Sequence, residues 1–473
     1  MTHKTISWAI ERYGESLSGS ELQPRIATEL KRRRIRMVVI DDDPTGIQTV
    51  HGCLLLTHFT PELVEAALDD EAPFFYMLVN SRAMTEAEAC RVVREAVEAV
   101  LAANRSRGYN LIFVSRSDST LRGHFPAENR TITEVLNEAG LTPLLPTLFC
   151  PAFFEAGRMT IEGIHYMAQG EELIPVHETE FARDNVFAYH HSDLKEYVVE
   201  KGRGTIAANK VAENYLRAIR GLDAEGIARQ LPALDFYDYL CFDALSYEDL
   251  RKLALAVILQ FDPEKRHQTV VIRSSSSLPK ALSGIAEQGY VSVAKAGAKG
   301  VVIVGSHVKK STEQLNALLQ IKGVAGIEID VERILNDDTT QQAELLAEAE
   351  RRYHEGLTPV LYTSRREVRC DDKAKRQALG TKISRFLVDL VRALPFRPDF
   401  LVSKGGITSH DILTHSLEVR IARVAGQAAA GIPTIHTTEG PFADLLYVIF
   451  PGNVGAVETL GEVVKQLRDG ATR

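Results

Sequence analysis

The sequence has no apolar run that approaches the roughly 20 residues needed to span a membrane. Its first residues, MTHKTISWAIERYGESLSG, lack the cationic and then apolar pattern of a signal peptide. Cysteine is scarce: the five cysteines lie far apart, and none belongs to a CxxC pair. This distribution argues against a disulfide framework and a zinc knuckle and is typical of a reducing compartment. We therefore expect a cytoplasmic protein.

Several common functional motifs are also missing. Neither GxxxxGK[ST] nor GxGxxG occurs, which disfavours a P-loop enzyme and a standard dinucleotide-binding dehydrogenase. No GxSxG elbow supports a serine hydrolase. Positive charge is in the minority, with 55 Lys+Arg against 63 Asp+Glu and a net charge of −8. This balance disfavours binding to nucleic acids.

What the sequence does contain is a repeated order of apolar run, polar loop and helix. The 473 residues suggest two or three domains, and short apolar runs without alternation indicate strands buried on both faces of parallel sheets. Thr85 and Glu88 form a capping-box pattern before a helix with one apolar face. The runs are Met37–Ile40, Phe74–Val79, Leu111–Val114, Thr269–Ile272, Val301–Val304, Val360–Tyr362, Phe400–Val402 and Leu446–Phe450.

This order predicts an α/β protein with two domains, each a mostly parallel sheet flanked by helices. The polar stretch between residues 262 and 268 is the predicted boundary, so the domains are expected at 1–262 and 268–473. Ligands bind beyond the carboxyl ends of the strands in such sheets, and two such edges suggest an active site in an interdomain cleft.

Three polar clusters fall at predicted strand ends. The triple aspartate Asp41–Asp43 needs a cation or donors to offset its repulsion, and Mg²⁺ or a substrate rich in hydroxyls would provide them. The alternative is an Asx-Pro turn. Ser115–His124 combines hydroxyls, a carboxylate and arginines suited to a small polyhydroxylated acid, or forms a capped loop. Ser403–Ser409 has paired glycines that could approach a nucleotide phosphate, although such turns are common.

Several of these segments resemble motifs of the four-carbon acid sugar kinase family. Residues 42–46 resemble its DDxTG motif, and residues 115–123 resemble its KxDSTLRG motif. Residues 80–82 are similar to its SR segment, and residues 151–158 to its PAF…GR loop. Residues 305–306, 405–408 and 452–455 are similar to its nucleotide-binding segments. The resemblance spans roughly residues 36 to 456, nearly the whole chain.

The resemblance implies an ATP-dependent kinase that phosphorylates the terminal hydroxyl of threonate, erythronate or a 3-oxo-tetronate. It places the acid sugar on the N-terminal domain and ATP, with Mg²⁺, on the C-terminal domain. Asp118 is the expected base, with Asp43 second. The expected substrate-binding residues are Asp42, Thr45, Arg82, Arg116, Ser119, Thr120 and Arg122. The expected nucleotide-binding residues are Ser306, Gly405, Gly406, Ile407, Thr408, Gly452 and Asn453.

Three positions depart from the family pattern: Arg116 and Phe450 stand where lysine is usual, and Ile407 occupies a position that is often acidic. The partners expected are small molecules, without nucleic acid or membrane, and a homodimer is a common outcome for such enzymes. Two other functions stay open. A non-catalytic sensor would bind the acid and the nucleotide without turnover, and an aldolase or lyase would form product without nucleotide.

Overall fold

A computed structural model describes residues 4–14, 21–293, 297–306, 308–365, 373–452 and 454–470. The chain divides into two units, residues 1–287 and 288–473. Among the described residues, no helix is both long and apolar enough to cross a bilayer.

The first unit contains a parallel sheet and a smaller antiparallel sheet. Its strands are β1 (Lys4–Thr5), β2 (Ile35–Asp41), β3 (Leu54–Leu56), β4 (Phe74–Leu78), β5 (Asn110–Arg116), β6 (Thr147–Cys150), β7 (Arg158–Ile161), β8 (Ile164–Gln169), β9 (Glu172–Pro175), β10 (Val211–Asn214), β11 (Tyr239–Phe242) and β12 (Thr269–Ser274). Its helices are α1 (Ile6–Tyr13), α2 (Leu22–Arg32), α3 (Pro61–Asp69), α4 (Glu86–Asn104), α5 (Ala127–Glu138), α6 (Leu194–Gly202), α7 (Leu216–Gly221), α8 (Ala224–Gln230), α9 (Tyr247–Ile258) and α10 (Ser277–Ser283).

The parallel sheet of this unit has the order β10-β11-β6-β12-β5-β2-β4-β3. The four-stranded antiparallel sheet has the order β1-β9-β8-β7. The capping box predicted at Thr85 and Glu88 is confirmed at the start of α4, where Val93, Val97 and Val100 are buried. Residues such as Val38, Val39 and Phe113 are fully buried because helices cover both faces of the parallel sheet.

The second unit contains a mixed sheet. Its strands are β13 (Gly300–Val304), β14 (Val324–Ile329), β15 (Thr358–Thr363), β16 (Phe400–Lys404), β17 (Ile421–Ala429), β18 (Ile432–Thr437) and β19 (Leu446–Phe450). Its helices are α11 (Lys309–Leu318), α12 (Val331–Leu335), α13 (Gln341–His354), α14 (Lys373–Arg392), α15 (Gly406–Asp411) and α16 (Thr459–Asp469), and one π-helical turn spans Ile412–Ser416.

Within this unit the order is β17-β18-β19-β16-β13-β15-β14. The pairs from β19 to β14 are parallel, whereas β17, β18 and β19 pair in antiparallel fashion. A core of Val302, Val402 and Val448 from the strands packs with Leu315 and Val464 from α11 and α16. The predicted α/β class with mostly parallel sheets is confirmed in both units.

The predicted domain boundary requires a correction. The chain divides after Glu287, not at residues 262–268. The physical reason is β12, which pairs with β5 on one side and β6 on the other and so belongs to the middle of the first sheet. Its apolar residues Val270, Val271 and Ile272 are fully buried there. The polar stretch before β12 is therefore a loop within the first unit.

Candidate functional site

Polar side chains follow neighbouring strands at one edge of the first sheet. Strands β6, β12, β5, β2 and β4 are adjacent and parallel, so their carboxyl ends share this edge. The sheet therefore brings together the aspartates after β2, the arginine after β4, the hydroxyl-rich loop after β5 and the serines after β12. This is the edge where open α/β sheets bind ligands.

Asp42 and Arg82 form a two-point ion pair at the centre of this edge. Arg82 Nε donates to Asp42 Oδ2 at 3.0 Å, and Nη2 donates to Oδ1 at 2.6 Å. Arg82 Nη1 also donates to Asp43 Oδ2 at 3.2 Å. Asp43 Oδ1 in turn accepts the backbone N–H of Thr45 at 2.8 Å, so the Asx turn weighed for this segment is present. The turn and the ion pairs coexist.

Arg116 is buried beneath this pair, with 3% of its surface exposed. Its Nη1 lies 3.2 Å from Asp41 Oδ1 and 3.5 Å from Asp42 Oδ1. Its Nη2 donates to Ser276 Oγ at 3.1 Å and to Gln48 Oε1 at 3.4 Å. Arg116 thus ties the ends of β2, β5 and β12 to one another. Its predicted role in binding substrate stays a prediction.

Asp41 is the carboxyl group of this edge that favours the neutral form. Burial raises the pKa of Asp41 to about 8; Arg116 opposes this shift, and the nearby charges of Asp42 and Asp43 add to it. Asp41 Oδ2 is buried and accepts no hydrogen bond from the described residues. A Cβ at position 46 would overlap this carboxyl group, so glycine permits the close approach of the turn.

Asp118 lies in the loop after β5 and is paired with Arg122. Arg122 Nε donates to Asp118 Oδ2 at 2.7 Å, and Thr120 Oγ1 donates to the same oxygen. Burial acts to raise the pKa of Asp118, but Arg122 and Arg82, with the Thr120 hydroxyl, outweigh it and hold the pKa well below its usual range. Asp118 is therefore ionised at neutral pH. Its Oδ1 accepts no hydrogen bond from the residues that the structure describes.

Backbone contacts fix the shape of this loop. His165 Nε2 lies 2.8 Å from the Ser119 carbonyl oxygen, and the hydroxyls of Tyr189 and Tyr197 donate to the carbonyls of Thr120 and Leu121 at 2.7 and 2.6 Å. Three successive carbonyl groups of the loop are thereby held by side chains from later parts of the chain. The loop presents its side chains from a rigid backbone.

The serines after β12 and a buried ion pair also belong to this edge. The sequence had not predicted either of them as part of the first domain's site. Arg273 Nη1 donates to Glu128 Oε2 and to Ser115 Oγ, both at 3.0 Å. The Ser117 backbone N–H donates to the Ser274 carbonyl at 2.9 Å. The signal was present as an apolar run followed by Arg273–Ser277, but the misplaced boundary assigned it to the other domain.

The second unit has its own edge of polar loops. The carboxyl ends of β15, β13, β16 and β19 are adjacent, which brings Gly305 and Ser306 near Gly405 and Gly452. Ser311 Oγ donates to Ser306 Oγ at 3.0 Å and to the Gly452 carbonyl at 3.2 Å. The fold thus brings together residues from three of the predicted nucleotide-binding segments.

Glycine is required where these loops approach one another. Gly405 has a φ of 117°, and a Cβ there would lie 3.1 Å from Ser306 Cβ. A Cβ at Gly305 would overlap Thr408 Oγ1. Thr408 is buried, whereas Ile407 is 74% exposed. Asn453, also predicted to bind the nucleotide, lies outside the described residues.

Two cations at this edge were not among the predicted site residues. Lys404 is fully buried; its Nζ donates to the Pro451 carbonyl and lies 4.4 Å from the centre of the Phe450 ring. Burial, with a smaller contribution from Lys310, lowers the pKa of Lys404 to about 7. Arg365 Nη1 donates to the Ser306 carbonyl at 2.7 Å. Lys404 could have been predicted at this edge because it directly precedes Gly405. Nothing in the sequence indicates the contact between Arg365 and Ser306.

Mg²⁺ requires oxygen ligands, from acidic side chains or from the phosphates of a bound substrate. Among the described residues, no group of three His, Cys, Asp or Glu side chains has the arrangement of a metal site. The carboxylates of Asp42, Asp43 and Asp118 accept hydrogen bonds from arginines instead. Mg²⁺ usually binds through one or two carboxylates together with substrate phosphates. The described side chains do not form a Mg²⁺ site of their own.

The sequence matches two domain families. Residues 37–282 match a sugar-binding N-terminal domain, and residues 301–460 match a nucleotide-binding C-terminal domain. No curated protein matches the sequence.

Two solved structures share the fold. A Haemophilus influenzae protein of the DUF1537 family is 17% identical, with 90% of this chain and 99% of that protein aligned at a TM-score of 0.64. A Salmonella typhimurium LT2 protein with a provisional assignment as a tRNA synthase is 16% identical, with 91% and 99% aligned at a TM-score of 0.66. At these identities the likeness concerns the fold alone.

The two matched domains define a class of protein that joins a sugar-binding domain to a nucleotide-binding domain. Each matched range lies within one of the two units and contains one of the two polar edges. The chain belongs to the four-carbon acid sugar kinase family.

Proposed function

We propose that this protein is an ATP-dependent kinase that transfers phosphate to the terminal hydroxyl of a four-carbon acid sugar, such as threonate, erythronate or a 3-oxo-tetronate. The observation that carries the proposal is the edge of the sugar-binding domain, where Asp118 is ionised and held by Arg122 beside Arg82. A proton acceptor next to guanidinium groups suits an anionic substrate with a reactive hydroxyl.

Asp118 is the better of the two candidate bases. Both oxygens of Asp43 already accept hydrogen bonds, Oδ1 from Thr45 and Oδ2 from Arg82. Asp118 has Oδ2 engaged by Arg122, and the described residues leave its Oδ1 available to accept a substrate hydroxyl. Because a carboxylate is a far weaker base than an alkoxide, proton transfer to Asp118 would accompany phosphoryl transfer and not precede it.

The nucleotide is expected at the glycine loops of the second unit. Without side chains at Gly405 and Gly406, a phosphate can approach the backbone closely. The Gly406 N–H is the group that would donate to it, since the Gly405 N–H already donates to the Phe450 carbonyl at 2.9 Å. Ser306 and Gly452 lie beside these glycines, joined through Ser311. Mg²⁺ carried on the phosphates would supply charge neutralisation.

A coupled assay of ADP formation against a panel of threonate, erythronate and 3-oxo-tetronate stereoisomers tests this function. We expect ADP formation that depends on both ATP and one member of the panel. Binding of acid and nucleotide without turnover of any member would favour a sensor. Product formed from an acid in the absence of ATP would favour an aldolase or lyase.

A further inference from the structure

The arginines at the edge of the first sheet differ in whether a carboxylate neutralises them. Arg82 is paired with Asp42 and Asp43, and Arg116 is paired with Asp42 and also contacts Asp41, which favours the neutral form. Arg122 and Arg273 are likewise paired, with Asp118 and Glu128 respectively. A carboxylate from the substrate would have to compete with these partners.

Arg158, at the start of β7, has no such partner. It makes no ion pair with any of the residues that the structure describes, and its Nη1 donates only to the Ala156 carbonyl. Its Nε is buried without a hydrogen-bond partner in the described part of the chain, although the side chain as a whole is partly exposed. A partly buried guanidinium without a counter-ion is costly, and an anionic ligand would remove that cost.

The hairpin that carries Arg158 is tied to the Asp118 loop. Thr160, two residues along β7, has its hydroxyl 2.9 Å from His165 Nδ1, and His165 Nε2 lies 2.8 Å from the Ser119 carbonyl oxygen. The backbone of Arg158 is also fixed by two hydrogen bonds to Phe153, at 3.0 and 2.8 Å. Burial lowers the pKa of Arg158, while Asp118 raises it and Arg122 lowers it, so the guanidinium lies within electrostatic reach of that pair.

We propose that Arg158 binds the carboxylate of the acid sugar and thereby makes the enzyme prefer an acid to the corresponding neutral polyol. This inference rests on the proposed function. Arg158 would take the carboxylate end of the substrate, leaving Asp118 Oδ1 for a hydroxyl. A carboxylate matches the planar donors of a guanidinium in a two-point hydrogen bond, which a hydroxyl of a polyol cannot reproduce.

The test compares the wild type with Arg158→Gln, Arg158→Lys and the control Arg229→Gln, whose arginine is exposed on α8. The measured quantity is kcat/KM for the preferred acid relative to the four-carbon polyol of the same configuration. Loss of a charge-assisted hydrogen bond should lower this ratio about 10- to 100-fold in Arg158→Gln. Arg158→Lys should recover part of it, and KM for ATP should change little. If Arg158→Gln discriminates between the acid and the polyol as strongly as the wild type does, the inference is overturned.

A second measurement uses the wild-type protein and does not depend on the folding of a variant. Phenylglyoxal modification of arginines, mapped by mass spectrometry of peptides, should reach Arg158 in the free protein and be suppressed by the acid but not by ATP. Protection by ATP alone, or none by an acid that is turned over, would contradict the inference. If the wild type turns over no acid, the proposed function itself fails; if it does and discrimination is unchanged in Arg158→Gln, only the role of Arg158 fails.

Discussion

At the edge of the first sheet each carboxyl group has different neighbours, and these neighbours determine its protonation. Asp118 is held ionised by Arg122 and Arg82, while burial favours the neutral form of Asp41. The two groups are therefore suited to different roles. Asp118 can accept a proton from a substrate, whereas Asp41 contributes to the packing of the aspartate turn.

The variant Asp118→Asn separates turnover from binding. The amide keeps the size of the side chain but cannot accept a proton, so kcat should fall by at least about 100-fold. Binding of the acid and of ATP, measured by calorimetry, should change only a few-fold. Asp235→Asn, at an exposed position, is the control and should retain activity. Undiminished kcat in Asp118→Asn would exclude Asp118 as the base.

The variant Asp41→Asn tests the raised pKa of Asp41. A carboxyl group whose pKa is raised on folding favours the folded state below its unfolded pKa of 3.8, and this contribution is lost as the pH rises through about 8. The free energy of unfolding of Asp41→Asn minus that of the wild type should therefore increase between pH 5 and pH 8, by more than about 1 kcal/mol. Asp43 and Asp118 titrate in both proteins, so their contributions largely cancel. Parallel pH profiles would contradict this assignment.

Individual site residues were predictable from the sequence where they closely follow an apolar run. Asp42 lies two residues after such a run and Asp118 lies in the polar loop that follows another, and both are at the predicted edge. Contacts between site residues were not predictable. Arg116 and Ser276, for example, are 160 positions apart, and only the strand order brings them together. The same limit applies to Arg365 and Ser306.

At the scale of the elements, the glycine loops of the second unit depend on backbone conformations that other residues rarely adopt. Gly405 has a φ of 117° directly after β16, and its backbone N–H donates to the Phe450 carbonyl at 2.9 Å. The buried Lys404 amine holds the Pro451 carbonyl from the same strand. These two hydrogen bonds join the ends of β16 and β19 next to the predicted nucleotide-binding glycines.

Substitution of Gly405 by alanine should weaken nucleotide binding. The positive φ costs about 1–3 kcal/mol for a residue with a Cβ, and the new atom would lie 3.1 Å from Ser306 Cβ. We expect the Kd for ATP to rise at least about tenfold while the Kd for the acid is unchanged. The matched control is Gly356→Ala, which has a φ of 81° and no heavy atom within 4 Å of the added Cβ. Equal nucleotide affinity in the two variants would contradict a role for the Gly405 loop.

The elements themselves were predictable when their apolar residues are contiguous. Leu446–Phe450 was predicted with the bounds that β19 has, and Met37–Ile40 lies within β2. The hairpin of β17 and β18 was missed because β17 alternates buried and half-buried positions and is rich in alanine and glycine. The antiparallel sheet was missed because strands such as β7 have only four residues, too few to establish a period.

At the scale of the whole molecule, the position of β12 decides where the first unit ends. A fragment of residues 1–287 should fold cooperatively, whereas a fragment of residues 1–262 should not. The shorter fragment lacks β12, so β5 and β6 would face a gap in the centre of the sheet. Circular dichroism with thermal unfolding distinguishes the two. A cooperative transition of the 1–262 fragment, at the temperature of the longer one, would contradict this division.

The protein carries a net charge of −8, although the substrates proposed for its two polar edges are negatively charged. The substrates proposed for the protein are anions, so local cations must receive them against the overall charge. The first unit supplies Arg158 without a carboxylate partner among the described residues, and the second supplies Arg365 next to the glycine loops. The overall excess of acidic residues argues against polyanions such as nucleic acids, and the local cations suit small ones.

The most direct test of phosphoryl transfer to a four-carbon acid is phosphorus NMR of a reaction with ATP and the preferred acid. We expect this transfer to give a new phosphomonoester signal that grows as ADP forms, split into a triplet by the two protons of the terminal CH₂ group. Signals of ADP and inorganic phosphate alone, a doublet from a secondary hydroxyl, or conversion of the acid without loss of ATP would contradict it.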